Sequence, residues 1–146
     1  MRFLLFLFAL LGCLNFAQAQ GDRGTANNAG TINYNYADLE KLDKLELTKI
    51  YIAKLNRLHS ILAYMPFHKL EPKNPNDLKI PDHNINSKSM SKLQGDIKDF
   101  QSTVDASLNV LTPYADTVNI INGIIFLQTT INKVELIGLG MLIFGY

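Results

Sequence analysis

The chain of 146 residues has a single cysteine, Cys13. One thiol builds neither an intrachain disulfide framework nor a cysteine-rich metal site. Charge is scarce as well. Only 18% of residues are Asp, Glu, Lys or Arg, below the usual quarter. Lys and Arg number 14 against 13 acids, a formal net charge of +1. That balance excludes a strongly basic protein that holds nucleic acid by neutralising phosphates. With 47% hydrophobic residues, the sequence also differs from a long disordered chain, which combines low hydrophobicity with high net charge. The length suits one domain of ordinary size.

Catalytic signatures are missing too. The sequence has no G-x-S-x-G, no H-E-x-x-H, no phosphate loop and no dinucleotide fingerprint. Ser89-Met90-Ser91-Lys92 fits S-x-x-K as a pattern. It lacks the S-D-N and K-T-G companions of that chemistry, and capping at a helix start accounts for it. Asp96/Asp99 and Glu40/Asp43 are three residues apart, which sets each pair on one solvated helix face. A glycosidase instead sets its two acids across a cleft. The histidines, His59, His68 and His83, include no i,i+4 pair. A metal site from His68, Asp82 and His83 would need three ligands brought together by folding, so no cofactor or metal is expected. Lysines alternate with acids and the aromatics form no strand platform, so no nucleic-acid partner is expected either.

The N-terminus reads as an address. Arg2 is followed by nine uncharged apolar residues, 3–11, and then by Ala17-Gln18-Ala19. A basic start, a short apolar run and an A-x-A cut site form a secretory signal, and this one resembles bacterial signals ending in Ala-Gln-Ala. The run is far short of the ~20 residues needed to span a bilayer. Residues 1–19 are therefore read as a removed signal peptide, for export to a periplasm or cell envelope or for secretion. Leu10-Leu11-Gly12-Cys13 resembles a bacterial lipobox and offers a competing cut, with an acylated Cys13 as the new N-terminus. Cleavage before Gln20 leaves 13 basic and 13 acidic side chains, without long-range steering toward anionic partners.

Residues 20–35 are rich in Gly, Asn and Thr and have no apolar period. They read as a flexible leader, with Ile32, Tyr34 and Tyr36 as anchors should it dock on a partner. Residues 36–146 read as one helical domain. Asn35 caps a helix that starts near Tyr36 and runs to Tyr64. Its apolar stripe is Leu39, Leu42, Leu45 or Glu46, Ile50, Ala53, Leu58, Ile61, Leu62 and Met65, widened by Ile52 and Leu55, and Lys49 and Lys54 mark its wet side. Pro66 stops it. Pro66, Pro72, Pro75 and Pro81 make residues 66–86 a long connector that lies along the helices. A second helix begins at residues 87–89 and carries Met90, Leu93, Ile97, Phe100, Val104 and Leu111 at three- and four-residue steps. That stripe predicts packing against another helix. Thr112-Pro113 breaks the helix, with Thr112 capping a third. No internal repeat is present.

Beyond Pro113 only Asp116, Lys133 and Glu135 are charged. Three arrangements hide this apolar tract. Residues 114–131 and 134–145 form core helices of a bundle or a subunit interface. Alternatively, residues 118–146 insert into lipid, although Lys133 and Glu135 each cost about 3 kcal/mol near a bilayer centre. Finally, residues 123–146 fold as a β-hairpin about Asn132-Lys133. The expected fold is all-α: a small bundle of three to four helices with a long Pro-rich loop and a flexible leader. The expected function is a non-enzymatic exported interaction or structural protein, an accessory subunit of a bacterial envelope or membrane-associated assembly. It would contact a protein partner or its own copies through apolar helix faces. Leu93, Ile97, Phe100, Val104, Ile124, Phe126, Leu139 and Phe144 are the candidate contact residues. A membrane-active or lipid-binding protein is the alternative. The address is checked by N-terminal sequencing and intact mass of the exported chain: a start at Gln20 is expected, and an acylated Cys13 would establish the lipobox instead.

Overall fold

Asp43 starts the long helix of the computed structural model, which describes residues 29–138. Its carboxylate accepts the Glu46 amide at 2.8 Å, and the Glu46 carboxylate accepts the Asp43 amide at 3.3 Å. This reciprocal capping box satisfies two otherwise orphaned N–H groups. It splits the single long helix expected from periodicity into α1 (Tyr36–Leu39) and α2 (Lys44–Leu62). Asn35 caps α1 as expected, accepting the Asp38 amide. At its other end α2 stops ahead of Pro66, which sits in a 3-10 turn, Met65–Phe67.

Two further helices follow, α3 (Asn84–Leu111) and α4 (Thr117–Gly138). No strand occurs among the described residues. The protein is an all-α small helical bundle. The connector between α2 and α3 is folded down by its own prolines. Pro72 and Pro75 are buried, and Asn74 and Asp77 cap a second 3-10 turn, Pro75–Leu78, reciprocally. Leu70 packs against the α2–α4 core. α3 begins at Asn84, earlier than expected, so Ser89 to Lys92 lie inside the helix rather than at its cap.

The apolar seam lies between α2 and α4, by far the most extensive helix pairing. On α4, Ile120, Ile121, Ile124, Leu127, Ile131 and Val134 are all buried. Steps of three and four place them on one face. Leu47 and Ile50 meet Ile120, Ile121 and Ile124, while Ile61 meets Ile131 and Val134. The two helices therefore run parallel, and α3 returns antiparallel to both. Gly123 lets α4 come close, since a Cβ there would lie 2.8 Å from the Tyr51 ring. The α2 stripe is rotated from the expected one. Leu47 is fully buried and Leu45 is mostly exposed. Leu39 and Leu42, ahead of the Asp43 cap, pack on the same core cluster as Leu47.

Two expectations for the last third are overturned. α4 runs unbroken through Asn132-Lys133, so the hairpin arrangement does not form over its residues. Its start also lies beyond the expected Thr112 cap: Thr112–Tyr114 is a 3-10 turn, and Ala115 is extended. Lys44 donates to the Pro113 carbonyl at 3.0 Å and ties this turn to the start of α2.

The α2–α3 seam is mostly polar, unlike the expected apolar zipper. Asn56 donates to Asp105 at 2.8 Å, and the Gln101 amide donates to the Asn56 carbonyl and to Ser60. Along α3 only Met90 and Ile97 are buried. The two outer helices thus differ in how firmly they hold α2. Ile124→Ala is expected to cost about 2–5 kcal/mol, the usual loss for a buried isoleucine. Phe126→Ala, on the exposed face of the same helix, is expected to stay within about 0.5 kcal/mol. Chemical unfolding midpoints of the two variants check this contrast.

Candidate interaction surfaces

Two surfaces stand out once the core is assigned: an uncovered apolar region at the α3–α4 turn, and a clamp across α2 and α4. The first begins with Val110 and Leu111 at the end of α3, continues through Tyr114 and reaches Val118 on α4. All four are exposed, Tyr114 to 87%. Next to them is a hollow of about 270 Å³, lined by Tyr51, Leu108, Leu111, Ala115 and Ile120. The fold produces this surface because α3 ends at Leu111 and α4 must restart beyond Asp116. Lys44 and Tyr51 of α2 reach the inner side of this turn, and the four side chains on its outer side stay uncovered.

The residues expected to make contacts are divided by the structure. Ile124 is fully buried between α2 and α4, so it is core and unavailable to a partner. Ile97 is also buried. Phe126, on the opposite side of α4, is 67% exposed. Phe100 is half-exposed and stacks on His59, with ring centroids 4.2 Å apart. Leu93 is at the edge of a small apolar recess with Phe67, Leu78 and Ile80. Val104 is half-buried. Leu139 and Phe144 lie outside the described residues, as do residues 1–28, with Cys13 and the segment expected to be a signal peptide. No single face gathers the expected set.

The clamp was not legible as a site. Lys54, expected on the wet side of its helix, is only 1% exposed. Residues 29–34 cover it. Its ammonium donates to the carbonyls of Gly30 and Ile32 and lies 5.7 Å from the centre of the Tyr34 ring, within cation–π range. From α4, the Gln128 side chain accepts the Tyr34 amide at 2.7 Å and donates to the Tyr34 carbonyl at 3.1 Å. A signal existed: Lys54 follows Ile50 by four residues and precedes Ile61 by seven, so it belongs to the apolar face. Of residues 20–35, those described therefore lie against the bundle rather than apart from it.

Charge on this side is internally matched. Arg57 pairs with Glu135 of α4 at 2.9 Å and with Glu71 of the connector. Burial holds the Lys54 ammonium below its ordinary pKa, opposed in part by the Glu135 carboxylate. Burial also raises the Tyr34 phenol. Elsewhere, His59 Nδ1 and the Tyr64 hydroxyl are buried without hydrogen-bond partners. Among the described residues no three His, Cys, Asp or Glu side chains converge as a metal site would require. His68 closes the Met65–Phe67 turn whereas His83 is the N-cap residue of α3, and Asp82 accepts a hydrogen bond from Ser87.

Comparisons with protein-family models, with curated proteins and with solved structures return no match.

Lys54 gives the clamp a pH signature. Its folded pKa lies below the ordinary 10.5. In the window just under that value the unfolded chain binds this proton and the folded chain sheds it. The Lys54 contribution to stability therefore rises as pH climbs through the window. Unfolding midpoints measured across it are expected to rise more steeply for the wild-type chain than for Lys54→Met. Parallel profiles would contradict the assignment.

Proposed function

We propose that this chain is an exported, non-enzymatic interaction or structural protein, an accessory subunit of a bacterial envelope or membrane-associated assembly. One observation carries the reading: the apolar surface formed by Val110, Leu111, Tyr114 and Val118 at the α3–α4 turn. Isolated exposed apolar residues are common on soluble proteins, whereas apolar surface gathered in one place marks a contact site. An exposed aromatic beside aliphatic neighbours is the kind of anchor that dominates binding energy at interfaces. Complete burial of a side chain of this size contributes roughly 1.5–3 kcal/mol. The secretory pattern at residues 1–19 supports an envelope setting. The near-neutral charge fits a contact driven by apolar burial rather than by electrostatic steering.

A second reading has its own support. α4 is long and apolar enough to cross a membrane, by length and composition alone. A membrane-active role would require α4 to exchange α2 for lipid. Gln128 and Glu135 would then give up their partners on residue 34 and on α2. Losing such partners in a dry environment costs several kcal/mol, so the assembly reading is preferred.

The test uses native envelopes and site-specific photo-crosslinking from Tyr114. One defined protein is expected to be captured. The adduct is expected to be lost in Val110→Glu with Leu111→Glu, while helix content is unchanged. Carbonate is expected to wash the chain from the membrane fraction. Retention after carbonate, with no captured protein, would favour the lipid-inserting reading and overturn the first.

A further inference from the structure

We propose that the hollow between α2, α3 and the connector binds a short free peptide through its terminal carboxylate, its amide N–H groups and an apolar side chain. The hollow measures about 450 Å³, within the roughly 300–1,000 Å³ of small-molecule sites. That is room for a di- or tripeptide. Ser60 and Tyr64 of α2 form one wall, residues 70–73 of the connector a second, and Gln94, Ile97, Lys98 and Gln101 of α3 a third. None of these residues belongs to the α3–α4 turn, so the proposal stands apart from the contact surface there.

Charge at the hollow favours an anion. Lys73 and Lys98 both line it, and neither ammonium makes an ion pair among the described residues. Lys98 has no acid three or four residues away on α3, where Gln94, Gly95, Gln101 and Ser102 stand. Asp77 is turned onto the backbone amides of Lys73 and Asn74 rather than onto the lysine head. The one carboxylate on the wall, Glu71, is taken by Arg57. Two cations therefore border the hollow without a counter-charge. Both are exposed, so solvent screens them, and they orient a carboxylate more than they hold it.

The neutral polar atoms ask for an amide. The Gln101 nitrogen is committed to the Asn56 carbonyl and to Ser60, and the Gln94 nitrogen to the Pro72 carbonyl. No protein donor reaches either Oε1, so each remains an acceptor for an N–H. Tyr64 is the complementary group. It is 5% exposed, and its hydroxyl is buried without a partner, a costly state for a donor. The hydroxyl is shut off from solvent, so a ligand carbonyl meets it only after a side chain of the wall shifts. Leu70, Pro72 and Ile97 make the rest of the wall apolar. A short peptide supplies an N–H, a C=O, a carboxylate and an apolar side chain within one small molecule. A fatty carboxylate lacks the N–H, and a sugar phosphate lacks the apolar body.

The probes are N-acetyl-leucyl-leucine, its C-terminal amide and decanoate. Each is titrated into the full chain at low ionic strength and followed by backbone amide NMR shifts. The peptide acid is expected to shift residues 70–73 and 94–101 saturably and to leave residues 110–118 in place. Its C-terminal amide is expected to bind about fivefold more weakly, the effect of losing two exposed ion pairs. Lys73→Gln with Lys98→Gln, both at exposed positions, should erase that preference. Tyr64→Phe should weaken the acid and the C-terminal amide alike, by about fivefold, the loss of one hydrogen bond. Decanoate should bind more weakly than the peptide acid, because it offers the glutamines no N–H. The proposal is overturned by shifts that do not saturate or that fall outside the hollow, or by equal affinity for the acid and its C-terminal amide. It is equally overturned by a preference that survives in the double lysine variant, by unchanged binding to Tyr64→Phe, or by decanoate binding as tightly as the peptide acid.

Discussion

The α2–α4 seam is the constraint on which the rest of the structure depends. α4 carries a run of β-branched and leucine side chains on one face, and α2 is the surface that hides it. Each large side chain removed from water there is worth roughly 1.5–3 kcal/mol. Hydrogen bonding alone could not replace that contribution, because its net value per bond is smaller. The parallel pairing dictates the remaining topology. α3 must run back the length of the bundle so that α4 can begin beside the start of α2. The connector must cross the far end, where Leu70 closes the seam.

Polar groups enter this seam only where they are paired. Lys54 interrupts the apolar face of α2, yet its ammonium is taken up by two backbone carbonyls. Glu135 interrupts α4 and is held by Arg57. Gln128 is turned onto the backbone of Tyr34. Removing the carbonyl partners of Lys54 would leave a buried ammonium unsatisfied, which costs more than the net value of the bond, whereas Gln128 and the Arg57–Glu135 pair are only partly buried. The same groups make the bundle specific about which segment lies over it. By contrast α3 is held by amides and a carboxylate along one side and leaves Val110 and Leu111 uncovered. The firmly packed side and the loosely packed side therefore have different consequences: one sets the fold, and the other offers contact.

Much of the fold could be read from residue order. The apolar period, Asn35, the Pro66 region and the Pro-rich connector located three helical stretches and their breaks. What escaped has specific causes. Asp43 and Glu46 carry a capping signature, but a continuous apolar period across it pointed to one helix. Residue type assigns Lys54 to water, although its spacing puts it with Ile50 and Ile61. Asn132-Lys133 looked like a turn, but both residues face solvent on α4 and continue the helix at little cost. The contact residues were harder, because an apolar stripe does not say which of its members a neighbour covers. Ile124 and Phe126 are two residues apart and differ from fully buried to mostly exposed. Gln128 gave no signal, since its role depends on a segment 94 residues away.

Hydrogen exchange on the purified monomer, in buffer free of detergent, tests the seam most directly. If α2 covers α4, the amides of Ile124, Leu127 and Ile131 exchange only through global unfolding and are among the slowest in the chain. Rapid exchange at those amides in the isolated monomer, slowed only by adding lipid or a partner, would contradict the account.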